Sequence, residues 1–232
     1  MSAKNRAMQE PIRILSTKKL LVNQKQFLLN AGFSLVEADF IAIQQKEIRF
    51  DKINENLIFT SQNSVLSLMN NSNFAEHADL LKQKNVFCVG IKTKQLLESN
   101  GFKVIAYTGY AADLAEIITL IYGKEKFTFF SGNLRRDTLP LALKNAAVDF
   151  NEIEIYDTLL TPHRMNSAFD GILFFSPSGV ESYLKYNKIS RETCFCIGTT
   201  TAEALQKTTD KILLANQPTV ENVIIQCINN YK

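Results

Sequence analysis

The chain has 232 residues, enough for one large domain or two small ones. Its 26 Lys and Arg against 23 Asp and Glu leave a net charge of +3, too mild for the clustered basic face of a nucleic-acid binder but suited to a small polyanionic ligand. No stretch approaches the roughly 18–20 uninterrupted apolar residues of a membrane span, and 46% hydrophobic with 21% charged residues is an ordinary globular balance.

Met1–Pro11 is polar and lacks an apolar core, so it reads as a disordered tail and not as a signal peptide; the expected location is cytoplasmic. Ile12–Ser16 is a short apolar strand. Val22–Asn30 has helical spacing, with Val22, Leu28 and Leu29 as its apolar marks and Gly32 as its stop. Ser34–Gln44 reads as one extended segment. Leu57–Thr60 is a buried-type strand and Ser61–Met69 a helix. Val86–Val89 is a strand ended by Gly90, followed by a helix over Thr93–Ser99 that Asn100-Gly101 stops. Val104–Tyr107 is a strand, and Ala112–Tyr122 a strongly periodic helix. Phe127–Phe130 is a strand, then Ser131-Gly132-Asn133 leads into a helix through Leu143.

After Asn151–Thr158 the same grammar returns: strand Ile172–Phe175, helix Ser178–Leu184, strand Cys194–Ile197, helix Thr201–Gln206, strand Lys211–Leu214, helix Val220–Ile228. Short apolar strands alternating with helices predict an α/β fold with parallel sheets flanked by helices. Continuous apolar strands, without alternation, are those covered on both faces.

The four cysteines are Cys88, Cys194, Cys196 and Cys227. Three lie in apolar strand or helix runs, and the spacing of Cys194 and Cys196 does not suit a zinc knuckle. They read as small buried hydrophobes. His77 and His163, the two histidines, fall in loop-like sequence, so no metal site is expected. No glycine-rich dinucleotide or phosphate loop follows a strand, and no serine nucleophile motif is present.

An internal repeat is the most informative feature. Leu57–Val65 parallels Leu173–Val180, each an apolar strand that ends in hydroxyls and opens a helix. Phe87–Thr93 parallels Phe195–Thr201, each a strand, a glycine turn and a hydroxyl near the helix start. Tyr107–Tyr122 parallels Leu214–Tyr231, and Ile12–Ser16 has its counterpart in Phe127–Ser131. The repeat predicts two similar domains: one from residues 1–42 plus 161–232, the other inserted over 43–160. The chain would cross near Ile41–Gln45 and return near Thr158–His163, which permits a hinge about a cleft.

In open parallel sheets ligands bind beyond the carboxyl ends of the strands. The polar residues there are Thr17-Lys18, Thr60-Ser61, Gly90–Thr93, Ser131–Asn133, Ser176–Ser178 and Gly198–Thr201. Helices that begin there offer free N–H groups and partial positive charge to carboxylates or phosphates. Taken singly, each Ser or Thr is equally well explained as a helix cap, and the two roles are compatible. Arg135-Arg136 is a solvated pair or a carboxylate clamp. Tyr156 is a packing tyrosine or a proton donor, its phenol being protonated near pH 7.

In combination these segments resemble the uroporphyrinogen-III synthase family. They are Ile58-Phe59-Thr60-Ser61, Val89-Gly90 with Thr93, Ser131–Asp137 with Leu139, Ile155–Thr158, Phe174–Gly179, and Ile197-Gly198 with Thr200-Thr201-Ala202. The match runs from about Ile12 to Ile228, and the last-but-one segment and Ser131–Asp137 are its most specific parts.

The resemblance implies two domains joined by a two-stranded linker, with the active site in the cleft between them. It implies a cofactor-free hydro-lyase of tetrapyrrole (heme) biosynthesis that cyclises hydroxymethylbilane, handed over by an upstream deaminase. The ring-A hydroxyl leaves to give an azafulvene, the substituted α-carbon of ring D attacks to form a spiro intermediate, and reclosure inverts ring D. Tyr156 would assist the leaving hydroxyl. Ser61, Thr93, Arg136, Ser176, Ser178, Thr200 and Thr201 would bind substrate carboxylates. Two positions depart from the family: Lys18 stands where many members carry arginine, and Asn145-Ala146-Ala147 where a helix-ending glycine is common. A monomer is expected. Two other readings stay open, a two-domain module that binds a small anion without turnover, and a synthase-like domain that binds a tetrapyrrole without converting it.

Overall fold

Short apolar runs buried on both faces set the architecture. In the computed structural model, which describes residues 10–232, the chain begins with β1 (Arg13–Ser16), α1 (Val22–Asn30), β2 (Ser34–Glu37) and β3 (Ile41–Gln45). Next come β4 (Asn56–Phe59), α2 (Gln62–Met69), α3 (Phe74–Gln83), β5 (Asn85–Val89), α4 (Ile91–Ser99), β6 (Lys103–Thr108) and α5 (Ala111–Ile121). Then follow β7 (Lys126–Gly132), α6 (Thr138–Asn145), β8 (Asp149–Leu160), β9 (Gly171–Phe174) and α7 (Pro177–Leu184). β10 (Thr193–Cys196), α8 (Thr199–Glu203), β11 (Ile212–Leu214) and α9 (Val220–Tyr231) end the chain. The tail read at Met1–Pro11 lies, except for Glu10 and Pro11, outside the described residues.

The chain divides into two compact units. One runs up to Ala42 and resumes over Leu159–Lys232; the other is Ile43–Thr158. The first holds a sheet of order β11-β10-β9-β1-β2, the second a sheet of order β3-β8-β7-β4-β5-β6. The pairings β1–β2, β1–β9, β9–β10 and β10–β11 are parallel, as are β4–β5, β4–β7, β5–β6 and β7–β8. Reading β1 against β7, β2 against β8, and β9, β10 and β11 against β4, β5 and β6, the two orders coincide.

Alternation along each central strand splits the core into two layers per sheet. In the second unit Leu57, Phe59, Cys88 and Phe130 pack with Val65, Leu68 and Leu97 on one face. Ile58, Phe87, Phe127 and Phe129 pack with Leu114, Ile118 and Leu139 on the other. In the first unit Leu15, Ile172, Phe174 and Cys194 meet Val180, Tyr183 and Leu205, while Ile14, Leu173 and Phe195 meet Leu28, Val223 and Ile224. All four cysteines are free and buried, and burial pushes each thiol up to about 12. Thiols held that firmly protonated are poor nucleophiles and ligands.

Four local expectations are corrected. The extended run Ser34–Gln44 breaks into β2 and β3 at Ala38–Phe40, because Asp39 turns back to accept from the Lys19 N–H at 2.8 Å and Phe40 is fully buried. α3 has no counterpart in the sequence reading. Its polar approach, Asn70–Asn73, masks a helix that buries only Leu81, although Glu76 in its first turn and Lys82 in its last suit the helix dipole. His77 therefore lies in that helix, stacked on Phe50 with ring centroids 4.8 Å apart, and not in a loop. On α1, Val22 and Leu29 are exposed; the buried positions are Leu28 and Gln24, whose amide accepts from the Leu21 N–H at 3.0 Å and donates to Glu221 at 2.7 Å.

Candidate active site

The carboxyl ends of the strands carry the hydroxyls the sequence marked. In the first unit Ser176 caps α7, its Oγ accepting from the Gly179 N–H at 3.0 Å, with Pro177 in the helix's opening turn. Ser178 Oγ lies 3.0 Å from Ser176 Oγ. Gly198 precedes α8, which begins at Thr199, two residues earlier than expected; Thr200 is half-buried and Thr201 buried in its first turn. Thr17 is buried and donates through Oγ1 to Leu173 O at 2.7 Å. Lys18 is exposed with its amine 5.8 Å from the centre of the Phe175 ring. Ser176, Ser178, Thr200 and Thr201 thus gather where α7 packs beside α8.

The second unit repeats this pattern. Ser61 caps α2, accepting from the Asn63 N–H at 3.0 Å. Gly90 precedes α4, and Thr93 is the third residue of that helix, buried like Thr201 in α8. Neither threonine is at the helix boundary, because both helices open directly after the glycine.

Tyr156 is the candidate donor of this unit. It lies on β8 opposite Gly132, the last residue of β7, and so level with the strand ends. Only 8% of it is exposed. Burial raises the phenol above its ordinary value of 10.0, and the Ser61 side chain pulls weakly the other way. The net result is a phenol firmly protonated at neutral pH. The backbone around it is strapped: the Asn133 N–H donates to Tyr156 O at 3.2 Å, and the Thr158 N–H donates to Asn133 Oδ1 at 2.8 Å. On the same strand Lys46 pairs with Asp157 at 2.9 Å and with Glu154; those hydrogen bonds, Glu154's first, raise its amine.

The two arginines separate. Arg135 is engaged by Glu152 at 2.6 and 3.0 Å in a two-pronged pair, and also by Asp137. Burial works to lift the Glu152 carboxyl, but the hydrogen bonds from Arg135 hold it below the usual carboxylate range. Arg136 is exposed, so it is the arginine whose fork remains open to an incoming anion. Among the described residues no group of three or more His, Cys, Asp or Glu is placed to hold a metal ion, and no helix is long and apolar enough to cross a membrane. The sequence reading brought out Ser61 and Tyr156 separately and set Ser131–Asn133 among the strand-end residues, but not the contacts that Gly132 and Asn133 make with Tyr156. The Ser-Gly-Asn turn after a strand was the available signal.

Fold and strand ends together define a class: two-unit parallel α/β proteins, each unit opening its helices with hydroxyl caps or glycines at the strand carboxyl ends. The model of the family described as uroporphyrinogen-III synthase HemD matches residues 25–225. Among solved structures, the uroporphyrinogen-III synthetase of Helicobacter pylori aligns at 20% identity and TM-score 0.71, covering 94% of this chain and 99% of that one. A substituted uroporphyrinogen III synthase of Thermus thermophilus aligns at 17% identity and TM-score 0.67, over 94% and 98%. Its wild-type form aligns at 16% and 0.52, over 95% and 98%.

The chain belongs to the uroporphyrinogen-III synthase family. Its activity is that of a hydro-lyase in heme biosynthesis.

Proposed function

We propose that this enzyme takes hydroxymethylbilane and closes it to uroporphyrinogen III with ring D inverted and one water lost. The observation that supports the chemical assignment most strongly is the Tyr156 phenol, buried at the strand ends of the second unit, where burial holds its proton. Tyr156 donates to the departing ring-A hydroxyl, which leaves as water while the pyrrole nitrogen gives up its proton to form the azafulvene. The substituted α-carbon of ring D then attacks that electrophilic methylene. The spiro intermediate fragments and recloses, and the final loss of a proton from ring D restores aromaticity. A phenol held above its ordinary value keeps its proton at neutral pH and so enters the reaction as a donor.

Ser61, Thr93, Arg136, Ser176, Ser178, Thr200 and Thr201, with nearby backbone amides, bind the acetates and propionates of the four pyrroles. The unassisted bilane closes to the unrearranged isomer, so the enzyme's task is to hold one geometry and one charge pattern. The assignment of residues 1–42 plus 161–232 and 43–160 as two functional domains, a monomeric state, a cytoplasmic location and delivery of substrate by the upstream deaminase belong to the same proposal.

The test is a coupled assay. Hydroxymethylbilane is generated in situ with its deaminase, this protein is added, and the oxidised type I and type III uroporphyrins are separated chromatographically. A type III majority that grows with added protein is the expected result. Type I alone at every protein level would remove the turnover claim, and slower bilane decay alongside it would identify a sequestering module.

A further inference from the structure

Gly132 is the last residue of β7 and lies opposite Tyr156, just past a shift in the β7–β8 register between Ser131 and Gly132. A Cβ placed on Gly132 would fall 2.4 Å from Tyr156 Cζ, 2.5 Å from Cε2 and 2.8 Å from the phenolic oxygen. The reactive end of the ring therefore lies directly over the bare Cα. The ring cannot back away cheaply, because Tyr156 is packed in the cluster that includes Leu57, Phe59, Phe130 and Ile155. Its backbone is also tied, through Asn133 N–H to Tyr156 O and Thr158 N–H to Asn133 Oδ1.

The backbone of Gly132 does not itself call for glycine. The glycines with positive φ are Gly32, Gly90 and Gly101, and Gly132 is not one of them. What occupies the space beside its Cα is the tyrosine ring.

We propose that Gly132 is a positioning residue for ring closure: the absence of a side chain there seats the Tyr156 phenol at the strand ends. Any heavier residue at 132 swings the phenol off that position while leaving the carboxylate-binding residues alone. The inference rests on the donor role assigned to Tyr156 above.

A double-mutant cycle tests it, with kcat and KM for type III formation measured for wild type, Gly132→Ala, Tyr156→Ala and the double variant, each with thermal unfolding. Gly132→Ala is expected to lower kcat by about 10²-fold, the cost of a misplacement near 1 Å, with KM held. In the Tyr156→Ala background, where the ring is gone, the same substitution should change kcat by no more than about twofold and leave the melting temperature unchanged.

Equal losses in both backgrounds would overturn the proposal, as would a Gly132→Ala enzyme with wild-type kcat beside a slow Tyr156→Ala enzyme. Wild-type kcat in Tyr156→Ala itself would mark the donor assignment as the failed step and take the positioning role with it. Should Gly132→Ala not fold, a double variant that folds supports the seat, and a double variant that also fails to fold overturns it.

Discussion

The two units share one five-strand parallel order, to which the second adds β3 at its edge, and they differ where chemistry is expected. Sheets β2-β1-β9-β10-β11 and β8-β7-β4-β5-β6 correspond element for element, with serine caps at Ser176 and Ser61 and buried threonines at Thr201 and Thr93. The second unit adds α3, lengthens the strand after β7 to twelve residues, and places Tyr156 on it. The first ends the equivalent strand, β2, after four residues at Glu37, whose carboxylate only ties Leu20 and Lys25. A duplicated scaffold thus supplies hydroxyl-bearing strand ends twice and a buried phenol beside them once.

The largest stability effects should show that the packing is equivalent. Phe59 and Phe174 are each fully buried at the ends of matching strands, β4 and β9. Phe59→Ala and Phe174→Ala should each cost about 3–5 kcal/mol by denaturant unfolding. A small loss at one and a large loss at the other would break the equivalence.

A sharper contrast lies in two matching helix ends. α1 closes with Gly32 at φ 82° and α6 with Ala147 at φ 55°; in each the following residue donates back to a leucine carbonyl, Phe33 to Leu28 and Val148 to Leu143. Only the second carries the left-handed penalty of a Cβ, partly offset by a less flexible unfolded chain. Ala147→Gly should therefore stabilise the protein by roughly 0.5–1 kcal/mol, and Gly32→Ala should destabilise it by a similar amount. Destabilisation by Ala147→Gly would contradict this account.

The caps should be nearly interchangeable in stability, Ser61→Ala and Ser176→Ala costing about 1 kcal/mol each. They should part in kinetics, because Ser61 belongs to the unit that carries the Tyr156 phenol. Equal kinetic loss at both would sink that distinction.

The smallest effect concerns pH. The Glu152 carboxyl is held below the usual range, so its contribution to stability is full above the ordinary carboxylate value and fades as pH falls toward the depressed one. Glu152→Gln should lower the urea midpoint slightly near pH 7 and flatten its acid limb. An unchanged acid limb would show that Arg135 is not the cause.

Much of this was legible in the sequence. Strands such as Asn56–Phe59 and Gly171–Phe174 are buried at every residue, so their apolar runs could be read without ambiguity. Ser61 and Ser176 follow such strands closely, where a cap is needed, and the glycine expected near Ala147 corresponds to a left-handed residue. α3 was hidden because a helix that buries one leucine leaves almost no stripe. The seat of Tyr156 was hidden for a different reason. Gly132 and Tyr156 are brought together only by the β7–β8 register and its shift, which no local pattern encodes. The same holds for Arg135, whose engagement by Glu152 leaves the exposed Arg136 as the arginine of the pair open to solvent.

The most direct measurement compares one substitution in each unit under single-turnover conditions with in situ hydroxymethylbilane. Tyr156→Phe should lower the rate of type III formation by about 10²-fold, with substrate affinity kept. Ser176→Ala combined with Ser178→Ala should weaken affinity and leave the rate at saturation within about twofold. A Tyr156→Phe enzyme that turns over at the wild-type rate, or a paired serine variant that loses the saturated rate as deeply, would contradict a proton donor carried by the second unit alone.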